Sequence, residues 1–409
     1  MVAPSGVATA PAIPLADAEV RDQSRPRLDS VDLLRGVVMV VMALDHVRDF
    51  FTRSAHLFDP ADLAQTTAPL FFTRWVTHFC APTFVFLAGA SAFLYGSRPG
   101  RSRQELARFL LSRGLWLVFI ELTVVRLAWQ FNFDYGFFAL QVIWAIGWSM
   151  VALAALVFLP VRLVGVFGLL MIATHNLLDG FGAAPLRTAP GQFAHATLGD
   201  WIWSILHVQN PPVMYPLVPW IGVMAAGYAF APMLRHDPAR RRRELLWLGA
   251  ALVAGFVLLR AVNGYGDPQP WSVQPDGLFT VLSFLNTTKY PPSLLFLLMT
   301  LGPALISLAL FERVRGRLAG FFVVYGRVPF LFYIAHLYLI HALVLVVAGA
   351  RGDDLRGYLT VWRFLPDSWG YGLVVTYLIW ALVVISLYPL CRWFAGVKAR
   401  RQEAWLSYL

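Results

Sequence analysis

Apolar segments of spanning length recur along this chain, at about residues 30–51, 69–95, 109–130, 137–159, 161–178, 215–234, 244–262, 291–311, 321–347 and 371–394. A hydrocarbon core roughly 30 Å thick is crossed by about 20 apolar residues in an α-helix, and in lipid only helices and closed barrels satisfy their own backbone. The pattern predicts an all-α, polytopic integral membrane protein of about ten transmembrane helices. Composition agrees, with 58% hydrophobic and 14% charged residues among 409. A net charge of +10 does not point to nucleic acid, because the basic residues fall in short loops between apolar runs. One set of loops holds 21 Lys and Arg, among them Arg98–Arg113, Arg240–Arg243 and Arg313–Arg317, and the other set holds seven. Basic loops stay inside, so both termini are expected in the cytoplasm, in keeping with an even number of spans.

The outer loops, about 179–214, 263–290 and 348–370, are the long ones, rich in Trp, Pro, Gly and Asn. Long irregular loops on one face are where binding residues gather. Trp201, Trp203, Trp271 and Trp369 sit in or beside them, either as faces for sugar rings or as an interfacial belt. Residues 1–26 read as a disordered cytoplasmic tail and 398–409 as a second cytoplasmic tail. Cys80 and Cys391 lie in apolar runs, so neither a disulfide nor a metal site is expected of them. The ten segments do not divide into two similar halves.

The first span, RLDSVDLLRGVVMVVMALDHVRDFF from Arg27 to Phe51, carries Asp45, His46, Arg48 and Asp49 near its far end. A charge at membrane depth costs roughly 2.5–3.5 kcal/mol on insertion scales, and such groups serve pairing, a wet cavity or chemistry. At 1.5 Å per residue, His46 lies about 24 Å from the cytoplasmic entry of its helix and His336 about 22 Å, while His78 lies about 12 Å below the outer surface. Three histidines on three helices thus share the outer half of the membrane. Arg74, Arg126, Gln130 and His341 fall there or nearer the surface, and Arg35 and Glu121 fall in the inner half. Spacings of three or four residues put Asp45 with Arg48 and Asp49, His46 with Asp49, and Arg74 with His78 on shared helix faces. A carboxylate beside an imidazole orients a general base. The plainer reading is interhelical ion pairing, with the outermost charges snorkelling to water. Glu121 is expected to have a helix partner, and Arg35 is either a topology anchor or a phosphate binder.

The LLRG motif at Leu33–Gly36, followed by Asp45-His46, resembles a superfamily of membrane acyltransferases. Together with FFTRWVTHFCAPTFVFLAGASAFL on the second span, YPLVPWIGVMAAGYAF, FLNTTKYPPSLLFLLMTLGP and VYGRVPFLFYIAHLYLIHAL, it is most similar to bacterial relatives of the heparan-alpha-glucosaminide N-acetyltransferase catalytic domain. The resemblance runs through most of the chain and makes 27–397 a transmembrane acyltransferase-like domain. It implies a plasma-membrane enzyme that takes an acyl group, expected to be acetyl, from cytoplasmic acyl-CoA and delivers it to a glycan or lipid-linked sugar outside. Acetyl-CoA or another acyl-CoA is then the co-substrate, no metal is expected, and homodimerisation stays open. In related polysaccharide O-acyltransferases a histidine follows the LRG glycine by ten positions, here His46. In the heparan-modifying enzyme that position resembles an asparagine, and the histidine falls in the outer loop, where His56 is nearest and one position out of register. The resemblance thus implies His46 as catalytic base ahead of His56. Asp45 or Asp49 would orient it, and His78 would act as a second acid–base group. Arg74, Arg126, His336 and Lys289 would serve oxyanion or acceptor binding, and Arg35 would hold CoA phosphates. A secondary transporter or flippase is the competing class. Such folds show internal repeats and paired broken helices, and the sequence shows neither.

Overall fold

A computed structural model describes residues 28–189, 192–401, 403 and 406. The tail expected over 1–26 lies outside the described residues, as do 402, 404, 405 and 407–409 of the other tail. Every predicted apolar segment contains helix. The helices are α1 Asp29–Phe51, α2 Arg53–Leu57, α3 Ala68–Trp75, α4 Cys80–Gly96, α5 Arg103–Ile120, α6 Arg126–Gln130, α7 Val142–Leu156, α8 Val161–Thr174, α9 Leu198–Leu206, α10 Trp220–Phe230, α11 Pro238–Val262, α12 Gly277–Leu285, α13 Leu294–Phe311, α14 Arg317–Arg327, α15 Pro329–Ala350 and α16 Leu373–Arg400. Two short strands, Arg187–Ala189 and Gln192–Phe193, pair in the loop after α8. Among the described residues six helical stretches are long and apolar enough to cross a membrane: Ala68–Gly96, Val161–Leu178, Pro238–Val262, Leu294–Phe311, Pro329–Ala350 and Leu373–Arg400. This is a multi-pass membrane protein.

Three segments expected to be continuous are interrupted, the third by a π-helical turn over Glu121–Val125 between α5 and α6. The second changes to a 3₁₀ turn over Val76–Phe79, which carries His78, and resumes as α4. The ninth breaks at Val328 before Pro329, a residue that disfavours helix in its predecessor and cannot donate a backbone hydrogen bond. The expectation of unbroken helices is corrected here. The two parts of the ninth segment thus become separate elements, α14 and α15, both packed on α1.

Helix α1 is the centre of the bundle and packs against α4, α13, α14, α15 and α16. Without a hydrophobic drive between helices in lipid, close packing through small residues holds such a bundle. A β-carbon at Gly36, the glycine of the LLRG motif, would overlap the Phe322 carbonyl, and one at Gly326 would overlap the Asp32 carbonyl. The two glycines let the α1 and α14 backbones touch. Reciprocal contacts of the same kind join Gly114 with Gly147 and Gly168 with Gly222. We expect Gly36→Ala to lower the thermal midpoint of the detergent-solubilised protein by the equivalent of about 1–3 kcal/mol, the usual cost of overpacking. Melting at the wild-type temperature would mean that the α1–α14 contact is slack.

The loops at one end of the bundle are tied together. Thr52 bridges Tyr371, Asn132 Nδ2 donates to the Leu359 carbonyl, Asn286 Nδ2 to Ala61, and Arg187 to Gly136. At the opposite end Arg103 donates to the Phe158 carbonyl and Arg241 pairs with Glu312. The end of α1 bearing Asp45–Asp49 belongs to the loop-rich side.

Candidate functional site

His46 reaches across from α1 to α15, where its Nδ1 lies 2.7 Å from His336 Nε2. The rings are near-parallel, 5.0 Å apart. His336 Nδ1 lies 2.8 Å from the Phe332 carbonyl one turn back in α15, and a carbonyl can only accept. For neutral rings the tautomers follow: His336 Nδ1–H donates to Phe332, its bare Nε2 accepts from His46 Nδ1–H, and His46 Nε2 keeps a free lone pair. His336 is fully buried, whereas His46 is half-buried. The Trp129 edge, 5.1 Å from the His46 ring, walls one side.

One residue away stands a buried ionic cluster. The Asp45 carboxylate accepts two hydrogen bonds of 2.9 Å from Arg74 and one of 2.8 Å from Thr77 Oγ1, with Arg48 Nη1 at 2.7 Å and Lys289 Nζ at 3.9 Å. Arg48 also holds Asp49. Three cations against two carboxylates leave one net positive charge beside the histidine pair. The most weakly held cation is Lys289, which comes from the loop before α13 and lies over the Tyr290 ring.

The expected orientation of His46 by Asp45 or Asp49 is corrected: both carboxylates are taken by guanidinium groups, and the partner of the imidazole is His336. His336 itself, expected among the acceptor-binding groups, is instead the neighbour that fixes the His46 tautomer. Arg74, expected at the depth of the histidines, and Lys289, expected among the acceptor-binding groups, both join the cluster at Asp45. His78 is buried against Phe296, with Nδ1 unpartnered.

The remaining candidates lie elsewhere. His56, on the short α2, has Nδ1 2.8 Å from the Trp362 carbonyl, and burial pushes its pKa below the ordinary imidazole value. Arg126 bonds Gln130, the Asn132 side chain and the Asn132 and Asp134 carbonyls, closing the turn after α6. Arg35 bonds Asp32, Ser91 Oγ and the Gly326 carbonyl, which pins α1 to α4 and α14 near the end opposite the loops. Glu121 finds its partner at the start of α7, where it accepts from the Trp144 backbone N–H. Three of the loop tryptophans are staples: the indole N–H of Trp203 donates to Phe181, that of Trp271 to Arg260 and that of Trp369 to Phe50. Sequence reasoning missed Thr77 and Trp129. Thr77 carried a weak signal, three residues after Arg74 on the same face, and Trp129 carried none.

Fold and site together define a multi-pass membrane protein with a titratable histidine pair and a cationic cluster at the loop-rich end of its central helix. The chain matches the family model of the heparan-alpha-glucosaminide N-acetyltransferase catalytic domain over residues 27–259, more than half its length, and it belongs to that family of membrane acetyltransferases. No curated protein matches it. The match takes in Asp45, His46, Asp49, His56, Arg74 and His78, while Lys289 and His336 lie beyond it.

Proposed function

We propose that the protein transfers an acetyl group from acetyl-CoA on the cytoplasmic side to a hydroxyl or amine on the outer side, through ten spans with both termini inside. The observation that carries this reading is the His46–His336 pair, which leaves His46 Nε2 as a bare base next to a cluster of net positive charge. His46 Nε2 takes the acceptor proton as the acceptor oxygen or nitrogen attacks the thioester carbonyl. The C–S bond then breaks, and the CoA thiolate leaves with the proton held on His46. Removal of the Nδ1 proton is not required, so His336 acts as a positioning residue. The developing oxyanion gains from the net positive charge, with Lys289 the cation most able to turn toward it.

On the donor side, a cavity of about 260 Å³ at the end opposite the loops is lined by Asp29, Leu33, Arg315, Val324 and Arg327. Arg315 and Arg327 suit CoA phosphates there better than Arg35, whose guanidinium is engaged within the bundle. The acceptor is an envelope glycan or lipid-linked sugar in this reading, and the membrane is a bacterial plasma membrane. The test is transfer from labelled acetyl-CoA by the purified protein in lipid nanodiscs, with CoA release followed against a panel of amino sugars and sugar alcohols. We expect acceptor-dependent release of CoA. Release that no acceptor stimulates, or movement of an unmodified sugar across proteoliposomes, would replace this reading with transport.

A further inference from the structure

A second set of titratable side chains lies apart from the histidine pair. Helix α8 ends in a 3₁₀ turn over His175–Leu178, followed by Asp179, and α9 ends at His207. These two ends meet. One donor atom from each of His175, Asp179 and His207 falls within 4.8 Å of the others. His207 Nε2 is 3.2 Å from Asp179 Oδ1. Both imidazoles are 2% exposed, and the Asp179 side chain is 20% exposed.

The ring nitrogens are poorly served for buried groups. Both nitrogens of His175 and Nδ1 of His207 have no hydrogen-bond partner. Leaving a buried polar atom unsatisfied costs about 1–3 kcal/mol, and native interiors rarely accept several at one spot. Two imidazoles and one carboxylate converging with spare lone pairs form a donor set for a divalent transition-metal ion. Three protein ligands with a partly open edge match a tetrahedral site completed by water. The carboxylate also has the second-layer support that ligands of such ions show: Asn176 Nδ2 donates to Asp179 Oδ2 at 2.7 Å. The Asn176 Oδ1 accepts from the Leu294 backbone N–H at the start of α13.

We propose that His175, Asp179 and His207 bind one zinc-type divalent cation, which clips the end of α9 to the end of α8. Softer thiolate ligands are absent from the set, and hard oxygen-seeking ions such as Mg²⁺ and Ca²⁺ prefer more carboxylate and carbonyl oxygens. The site also braces the acetyl-transfer end of the molecule from behind. The contact from Asn176 to Leu294 adjoins the segment Thr288–Ser293, which supplies Lys289 to Asp45. Asp267 fastens the same segment, accepting from Thr288 and Ser293 Oγ. The metal is thus placed to hold a loop in register and does not touch the histidine pair.

The test uses the full chain purified in detergent through an affinity tag without histidines, stripped with chelator and dialysed against zinc or cobalt. We expect one zinc per chain by elemental analysis, a tetrahedral cobalt absorption band on Co²⁺ addition, and a chelator-sensitive rise in thermal midpoint. His207→Ala and His175→Ala are expected to lose the bound metal and the cobalt band. Because those variants remove buried rings, Asp179→Asn and Asn176→Ala serve as gentler changes, the second weakening zinc affinity about tenfold or more. A wild-type protein that retains no zinc and shows no cobalt band overturns the proposal, as does equal zinc content in wild type and Asp179→Asn. Neither result bears on acetyl transfer, which is read separately.

Discussion

His46→Ala is expected to reduce acetyl transfer by about 10²–10⁴-fold, the usual contribution of a positioned general base. The loss should fall on kcat, since His46 stands at the far end of α1 from the cavity proposed for the donor, and the KM for acetyl-CoA should hold. His336 acts one step back. Its Nε2 accepts from His46 Nδ1–H only because its own Nδ1–H is committed to the Phe332 carbonyl. His336→Leu removes that acceptor and frees the His46 ring to turn or to take the other tautomer, so kcat should fall by a large part of the His46→Ala effect. His336→Gln offers an amide oxygen at a similar reach and should recover some of it. The pair should also be non-additive, with the double variant little worse than His46→Ala alone, as residues acting as one unit are. His56→Ala is expected to leave transfer near wild type, because its ring is tied to Trp362 in the loop. Full activity in His46→Ala with loss in His56→Ala would exchange the two roles and move the base from α1 to the loop.

The second large effect is on stability. Asp45→Asn removes the negative charge that Arg48, Arg74 and Lys289 share. Breaking a buried ion pair from one side costs about 3–5 kcal/mol, because the remaining charges stay buried without a counterion. Arg48 is 3% exposed in its side chain and has nowhere to go. Asp49 would remain as its one carboxylate, and Arg74 would keep none. A lowered thermal midpoint and reduced yield from the membrane are the expected outcome. Arg74→Gln in the same chain should restore part of the loss, since it withdraws the charge left unpaired. Lys289→Met should cost less than Asp45→Asn, since its 3.9 Å pair is the longest in the cluster. If Asp45→Asn melts with the wild type, the cluster is not what holds α1 to α3.

How far the site was legible can be traced residue by residue. The polar end of α1 was plain, because charged groups stand out in an apolar run. Asp45 with Arg48 was readable from their three-residue spacing on one face, and that pair is present at 2.7 Å. Arg74 is expected on one face with His78, and Lys289 only among the acceptor-binding groups, and both instead meet Asp45. Arg126 and Arg35 read as candidate ligand-binding cations, yet each is held within the fold in part by backbone carbonyls, those of Asn132 and Asp134 for Arg126 and that of Gly326 for Arg35. A sequence writes side chains and not carbonyl directions, so arginine staples and ligand-binding arginines look alike in it. His175 and Asp179 stand four residues apart, but His207 is 28 residues from Asp179, and only the fold brings the three together.

The sequence alone determined the class. Helix in lipid is a local matter, settled by apolar length and by hydrogen bonds within the segment, so every predicted apolar segment contains helix here, and the family match bears out the resemblance. It also determined that α1 ends in titratable groups. Only the tertiary structure decided what those groups do. His46 and His336 are separated by 290 positions, and they meet because α1 sits at the centre of the bundle with α15 against one flank. That contact is a property of which helix faces meet, set by close packing such as that between Gly36 and Gly326, and depth along two separate helices leaves rotation and neighbour open. The same packing turned Asp45 toward Arg74 and away from the imidazole, and so made a histidine, not a carboxylate, the group that orients the proposed base.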